Sequence, residues 1–183
     1  AVARHPLVRR MSFTGSPGVG KLVGGICGER LIPCKLELGG KGAAVVFDDV
    51  DVSSVAAGLA GAITLNTGQV CCTATRWIIH ENIYDEFVSR VKEILEKVRI
   101  GPGIERSTEM GPVVSPAQQE RILGYFAKGL QEGARAVMGG DLTGVEGLSG
   151  GFYVKPHLLE GEPENICFRE EIFGPTAFLT RFR

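Results

Sequence analysis

Two residues of this 183-residue chain stand where they could do covalent chemistry. Cys71 lies in Asn66-Thr67-Gly68-Gln69-Val70-Cys71-Cys72-Thr73, and Glu37 in Leu36-Glu37-Leu38-Gly39-Gly40-Lys41. A thiol in a polar, glycine-containing loop after a helix is a candidate nucleophile, because access and a stabilised thiolate decide reactivity. The alternative is an inert structural thiol, the commoner fate of cysteine. No histidine accompanies the loop, which weakens a Cys–His pairing. A carboxylate at a strand end beside two glycines can sit in a cleft, where burial raises its pKa towards that of a general base. Its alternative is a solvated glutamate.

Two further segments suit a cofactor more than a reaction. Phe13-Thr14-Gly15-Ser16-Pro17-Gly18-Val19-Gly20-Lys21 reads as a strand turning through glycine into a helix N-terminus, where free N–H groups and the positive dipole end face an anion. It lacks a full GxGxxG and the Lys-Ser/Thr ending of a Walker A loop, and glycine turns without a ligand are common. Glu170-Glu171-Ile172-Phe173-Gly174-Pro175 offers carboxylates for ribose hydroxyls and a ring to wall a flat heterocycle. Taken alone, it is an acidic turn before a strand.

The elements that must position these residues alternate between strand and helix. Strands are expected over Met11–Thr14, Leu31–Leu38, Ala43–Phe47, Arg76–His80, Ala134–Met138, Tyr153–Leu159 and Pro175–Arg181. Helices are expected over about Gly18–Cys27, over Asp51 to about Leu65, and over Asn82–Val98, whose Tyr84, Phe87, Val88, Val91, Ile94, Leu95 and Val98 form one apolar stripe. The Asp51 helix is rich in Ala and Gly and is expected to be buried. Ser115-Pro116-Ala117-Gln118 reads as a capping box with proline at the first helical position, opening a helix that stops at Gly133. Gly139–Gly151 reads as an exposed loop. This pattern predicts an α/β fold with a mostly parallel sheet flanked by helices.

Composition removes other classes. Hydrophobic residues make up 44% and charged residues 22%, and the net charge is -1, so there is material for a core and no basic surface for nucleic acid or membrane. No apolar run reaches the roughly 18 residues of a membrane span. Cys27, Cys34, Cys71, Cys72 and Cys167 are odd in number without CxxC spacing, and His5, His80 and His157 form no HExxH pair. Neither a disulfide framework nor a metal is expected, and a reducing, cytoplasmic setting is. The start, AVARHPLVRR, has no initiator Met and no signal-peptide core, and reads as the middle of a protein.

The order FTGS, ELGGK, GQxC and EEIFGP resembles the aldehyde dehydrogenase superfamily. Glu37 and Cys71 are 34 positions apart, as in that family, and the spacing from Cys71 to Glu171 also fits. The resemblance runs from HPLVRRMSFTGS at the start through the ILGY helix and its QEGA ending. It implies that Cys71 is the nucleophile with Cys72 its neighbour, and that Glu37 is the general base. It places Gly15, Ser16 and Gly20 near the cofactor pyrophosphate and Leu38 among the cofactor residues. Glu171 would hold the nicotinamide ribose, with Phe173 beside the nicotinamide. Pro17-Gly18 stands where the family commonly has Thr-Glu, and the turn-to-glutamate spacing is one residue short.

The implied activity is oxidation of a small-molecule aldehyde to a carboxylic acid with NAD or NADP, through a thiohemiacetal and a thioester on cysteine. The resemblance also implies that residues 1–39 end an NAD(P)-binding domain and that 40–183 are most of a catalytic domain. The full-length protein would be a homo-oligomer. The family's adenosine-binding residues and its Asn oxyanion donor lie outside this sequence, so the piece alone is expected to be inactive or weak. Alternatives are a folded but inactive structural or oligomerisation piece, and a relative passing its acyl group to CoA or phosphate. Glu37 fits the hydrolytic branch better.

Overall fold

The computed structural model describes residues 1–148 and 150–183. The chain divides into two compact units, 1–40 and 41–183. In the first, β1 (Met11–Gly15) and β2 (Cys34–Leu38) pair in parallel, joined by α1 (Pro17–Glu29). Ser16 caps α1 by accepting from the Val19 N–H at 3.4 Å, and Pro17 takes the first helical position, where no N–H is needed. The expected strand from Leu31 begins only at Cys34. Leu31 has φ 52, outside strand geometry, and Pro33 follows.

The second unit is a five-stranded sheet of order β3-β4-β7-β6-β5, from β3 (Gly42–Val46), β4 (Ala74–His80), β5 (Arg135–Met138), β6 (His157–Glu160) and β7 (Thr176–Phe182). All pairings are parallel except β5 with β6. Strand alternation divides the core. Ala177 and Leu179 of β7 and Leu158 of β6 join Trp77 and Ile79 on one face, under α2 (Val52–Thr64) and α3 (Tyr84–Leu95). Phe178 and Leu159 face the other way, towards α4 (Pro116–Gln131) and α5 (Ile166–Arg169). The fold is thus α/β, with a mostly parallel sheet flanked by helices.

The stripe read in α3 is buried through Tyr84, Phe87, Val91 and Leu95, although the helix is preceded by a 3-10 turn, Glu81–Ile83. α2 is not buried all round. Val52, Ala56, Ala60 and Ile63 face the core, while Ala57, Gly58, Gly61 and Leu65 are exposed. β6 starts at His157 and not Tyr153, because Pro156 has no N–H for a ladder and Lys155 N–H turns to Leu142 O at 2.7 Å. The short α5, capped by Asn165 accepting from Cys167 N–H at 2.9 Å, was not anticipated. The loop expected over 139–151 includes Ser149, outside the described residues; Leu142 within it is buried.

Candidate active site

The first unit positions five of the candidate residues. The β1–β2 register sets Thr14 beside Glu37 and Gly15 beside Leu38. Gly15 and Ser16 are exposed at the N-terminus of α1. Gly20 is buried one turn in, where a Cβ would lie 2.5 Å from Leu38 Cδ2, so only glycine lets the helix approach β2 this closely. The carboxylate of Glu37 is 54% exposed and pairs with Lys35 Nζ at 3.2 Å. Within its unit it is therefore a solvated strand residue, without the burial that the cleft reading required.

The second unit gathers the others at one edge of its sheet. The chain enters β4 from the Cys71 loop, β7 from the Glu171–Gly174 turn, and β3 from Lys41. All three approach the N-terminal ends of parallel strands. Open α/β sheets usually bind ligands at the opposite ends, so these candidates stand away from the edge that a topological rule would choose.

The Cys71 loop leaves α2 through three successive left-handed residues, Asn66 (φ 49), Thr67 (φ 57) and Gly68 (φ 69). This conformation is unfavourable for a β-branched residue such as Thr, and a set of hydrogen bonds enforces it. Thr67 Oγ1 donates to Gly111 O at 3.0 Å. Asn66 Nδ2 donates to Gln69 O at 3.0 Å, and Gln69 Nε2 returns to Asn66 O at 3.2 Å. Gln69 Oε1 accepts from Val114 N–H at 3.0 Å. A Cβ on Gly68 would overlap the Gly174 carbonyl, so this loop packs directly on the turn that carries Glu171 and Phe173. Cys71 and Cys72 are both exposed, whereas Cys27 and Cys167 are buried.

The opposing turn is clamped by α4. Gln118 Nε2 donates to Ile172 O at 3.1 Å and Phe173 O at 2.8 Å, fixing Phe173 at φ 65. An Arg121 guanidinium N–H donates to Glu171 O at 2.7 Å, and Tyr125 OH to Glu170 Oε2 at 2.6 Å. Half of the expected capping box is present, with Ser115 Oγ accepting from Gln118 N–H. The Gln118 amide serves the turn and does not reach back to the cap. Ile122 lies beneath, where a Cβ on Gly174 would fall 2.5 Å from its Cδ1.

Behind the two loops is a buried polar cluster that sequence reading did not single out. Lys41 Nζ, Arg76 Nε and His157 Nε2 are buried without hydrogen-bond partners. Burial pulls the Lys41 amine down to about 8, with Cys167 and Glu171 acting to raise it and Arg76 to lower it. Burial also takes His157 down to about 4 and pushes the Cys167 thiol up to about 11. Lys41 was visible only as the last letter of ELGGK, and nothing in a glycine-rich turn announces a buried ammonium. Among the described residues no group of three or more His, Cys, Asp or Glu is placed to hold a metal, and no helix is long and apolar enough to cross a membrane.

Comparison with known proteins agrees with the order of the motifs. The model of the aldehyde dehydrogenase family matches residues 1–183. A betaine aldehyde dehydrogenase of Mesorhizobium japonicum is 38% identical over 97% of this chain, and one of Brucella anthropi is 37% identical over all of it. The chain spans 37% and 38% of the length of these two curated relatives. Among solved structures, PnpE from Pseudomonas sp. WBC-3 superposes with a TM-score of 0.94 at 36% identity, over 98% of this chain and 37% of its own. A Mycobacterium tuberculosis aldehyde dehydrogenase complexed with NAD+ gives 0.93 at 36%, over 99% and 37%. The chain belongs to the aldehyde dehydrogenase family.

Proposed function

We propose that this chain carries the reacting cysteine of an NAD(P)-dependent oxidation of an aldehyde to a carboxylic acid. The observation that carries the reading is the Cys71 loop, where an exposed thiol is held by three left-handed residues against the turn bearing Glu171 and Phe173. Strain of this kind persists only where surrounding contacts enforce it, and it concentrates at functional sites.

Cys71, as thiolate, attacks the aldehyde carbon and gives a tetrahedral thiohemiacetal whose oxyanion needs hydrogen-bond donors. The backbone N–H of Cys71 is one such donor. NAD or NADP supplies the hydride acceptor when bound. The exposed turn at Gly15 and Ser16, with Gly20 letting α1 lie close on Leu38, fits a pyrophosphate at a helix N-terminus. Glu171 would hold the nicotinamide ribose and Phe173 would wall the nicotinamide. Once the cysteine adduct is oxidised to a thioester, water hydrolyses it; the family resemblance assigns removal of that water's proton to Glu37, whose carboxylate is solvated within its own unit. In this reading residues 1–39 belong to the cofactor domain and 40–183 to the catalytic domain.

Brief treatment with limiting iodoacetamide and peptide mapping tests the nucleophile. Cys71 should be labelled first, and Cys71→Ser placed in the full-length protein should abolish aldehyde-dependent NADH formation. First labelling at Cys72 or Cys167, or turnover surviving Cys71→Ser, would overturn the assignment.

A further inference from the structure

We propose that Gln69 is a positioning residue for Cys71, tethering the turn that presents the thiol to the segment 111–114. The inference rests on the reading above, in which Cys71 is the nucleophile.

Cys71 follows Val70 in a turn closed by the Thr73 N–H, which donates to Val70 O at 3.2 Å. The far end of this turn runs into β4, where Ala74 pairs with Gly42 of β3. Its near end leads back through Gln69 to Gly68, the residue with the widest backbone freedom in the loop. Whatever fixes Gln69 therefore fixes the entry to the turn.

The hydrogen bonds of the loop are of two kinds. Asn66 Nδ2 to Gln69 O, Gln69 Nε2 to Asn66 O and the Gln69 N–H to Asn66 O close a ring within residues 66–69. Such a ring shapes the loop but gives it no fixed place. Two bonds leave the loop, and both end on residues 111–114: Thr67 Oγ1 donates to Gly111 O, and Gln69 Oε1 accepts from the Val114 N–H at 3.0 Å. That segment is anchored. Val113 is 2% exposed in the core cluster of Ile122, and its N–H donates to Phe152 O at 2.9 Å. The Thr67 bond acts ahead of Gly68. Only the Gln69 bond acts between that glycine and the thiol, two residues before Cys71. The Gln69 amide offers an acceptor to Val114 and a donor to Asn66 at once, which a carboxylate cannot. A nucleophile out of line with the aldehyde carbon loses rate, and a displacement of about 1 Å can cost on the order of 100-fold.

Steady-state kinetics of the full-length protein with aldehyde and NAD test this. Gln69→Met removes both side-chain bonds and should lower kcat on the order of 10- to 100-fold, with KM for aldehyde and for NAD within about twofold of the parent. Gln69→Glu keeps an acceptor for Val114 and loses the donor to Asn66, and it should recover most of the lost kcat. Val114→Pro deletes the N–H at the other end of the same bond; adding it to Gln69→Met should deepen the loss by less than about twofold. Parental kcat in Gln69→Met, a loss confined to KM, no recovery in Gln69→Glu, or losses that multiply in the double variant would each overturn the tether. If Gln69→Met does not fold, Val114→Pro carries the test, and parental kcat there overturns it. Turnover surviving Cys71→Ser would sink the nucleophile reading itself, whereas parental kcat in Gln69→Met beside an inactive Cys71→Ser sinks only the tether.

Discussion

The two edges of the five-stranded sheet are both polar, and they are built in opposite ways. At the C-terminal edge the polar groups form paired networks. Tyr84 OH donates to Glu160 Oε2 at 2.6 Å, Arg135 Nε donates to Glu160 Oε1 at 2.7 Å, and Arg181 stacks over the Tyr84 ring at 3.9 Å while pairing with Asp85. Asp48 accepts from Asn82 at 2.7 Å, a bond that holds its carboxyl below the usual range. At the N-terminal edge, the two loops that meet beside Cys71 contain four residues of positive φ, three of them not glycine, and three buried nitrogens have no partner. Satisfied polar groups make one edge a structural rim. At the other, the strained Cys71 loop packs on the Glu171 turn and three buried nitrogens go unpaired, a difference that makes this edge the candidate for function.

The sharpest way to break this contrast is to add one carbon to the strained edge. Gly68→Ala sets a Cβ into the Gly174 carbonyl, at a residue with φ 69. Neither backbone can yield without moving the Cys71 loop or the Glu171 turn. A loss on the order of 4 kcal/mol is expected, in the class of severe backbone effects, read from urea unfolding. Iodoacetamide labelling of Cys71 should change with it. Gly103→Ala, where a Cβ meets nothing, is the control and should stay within about 0.5 kcal/mol. Equal behaviour of the two variants would show that the loops are not packed as described.

Next in size is the acid response of the same edge. His157 is fully buried and its folded pKa is about 4, against 6.5 for a free histidine. The unfolded chain takes up a proton near 6.5 and the folded one does not until about 4. Stability is therefore lost as pH falls through that window, by up to roughly 3 kcal/mol for a shift of this size. His157→Gln should flatten the dependence of the urea midpoint between pH 6.5 and 4 while leaving the midpoint at pH 8 less affected. A histidine that titrates near its free value would leave both profiles parallel.

This contrast also marks what could be read from the residues. The C-terminal edge follows from patterns of known period: the α3 stripe puts Tyr84 and Phe87 on the core side, and β-branched and aromatic runs locate β4 and β7. Ser115 and Pro116 announced the start of α4 through chemistry confined to one turn. The motif order likewise picked out Cys71, Glu171 and Phe173, which lie at one edge of one unit. The rest depended on contacts between residues far apart in sequence. Thr67 at positive φ contradicts its own propensity and is held by Gly111, 44 positions away. Gln118 fits a capping pattern locally, yet its amide is used 54 and 55 positions on. Lys41 is an ordinary lysine until the sheet closes over it. Local rules hold where the chain is relaxed and fail where tertiary contacts override them.

The smallest effect belongs to the rim and measures how much a satisfied network contributes. Tyr84→Phe removes one hydroxyl and keeps the ring that packs in the core beneath Arg181. Glu160 retains Arg135 as a partner, so its carboxylate is not left bare. The loss should then be that of one hydrogen bond to a charged group, about 1–2 kcal/mol, well below the Gly68 effect. Burial and the Glu160 carboxylate both hold the Tyr84 hydroxyl far above its ordinary value. In the unfolded chain it ionises near 10, so its contribution is complete below that pH and declines as pH rises above it. Between pH 7 and 9 the difference between parent and Tyr84→Phe should be constant, and above 10 it should narrow. A difference that already changes between pH 7 and 9 would mean that the hydroxyl is not locked to Glu160, and the rim would lose its claim to be the settled edge.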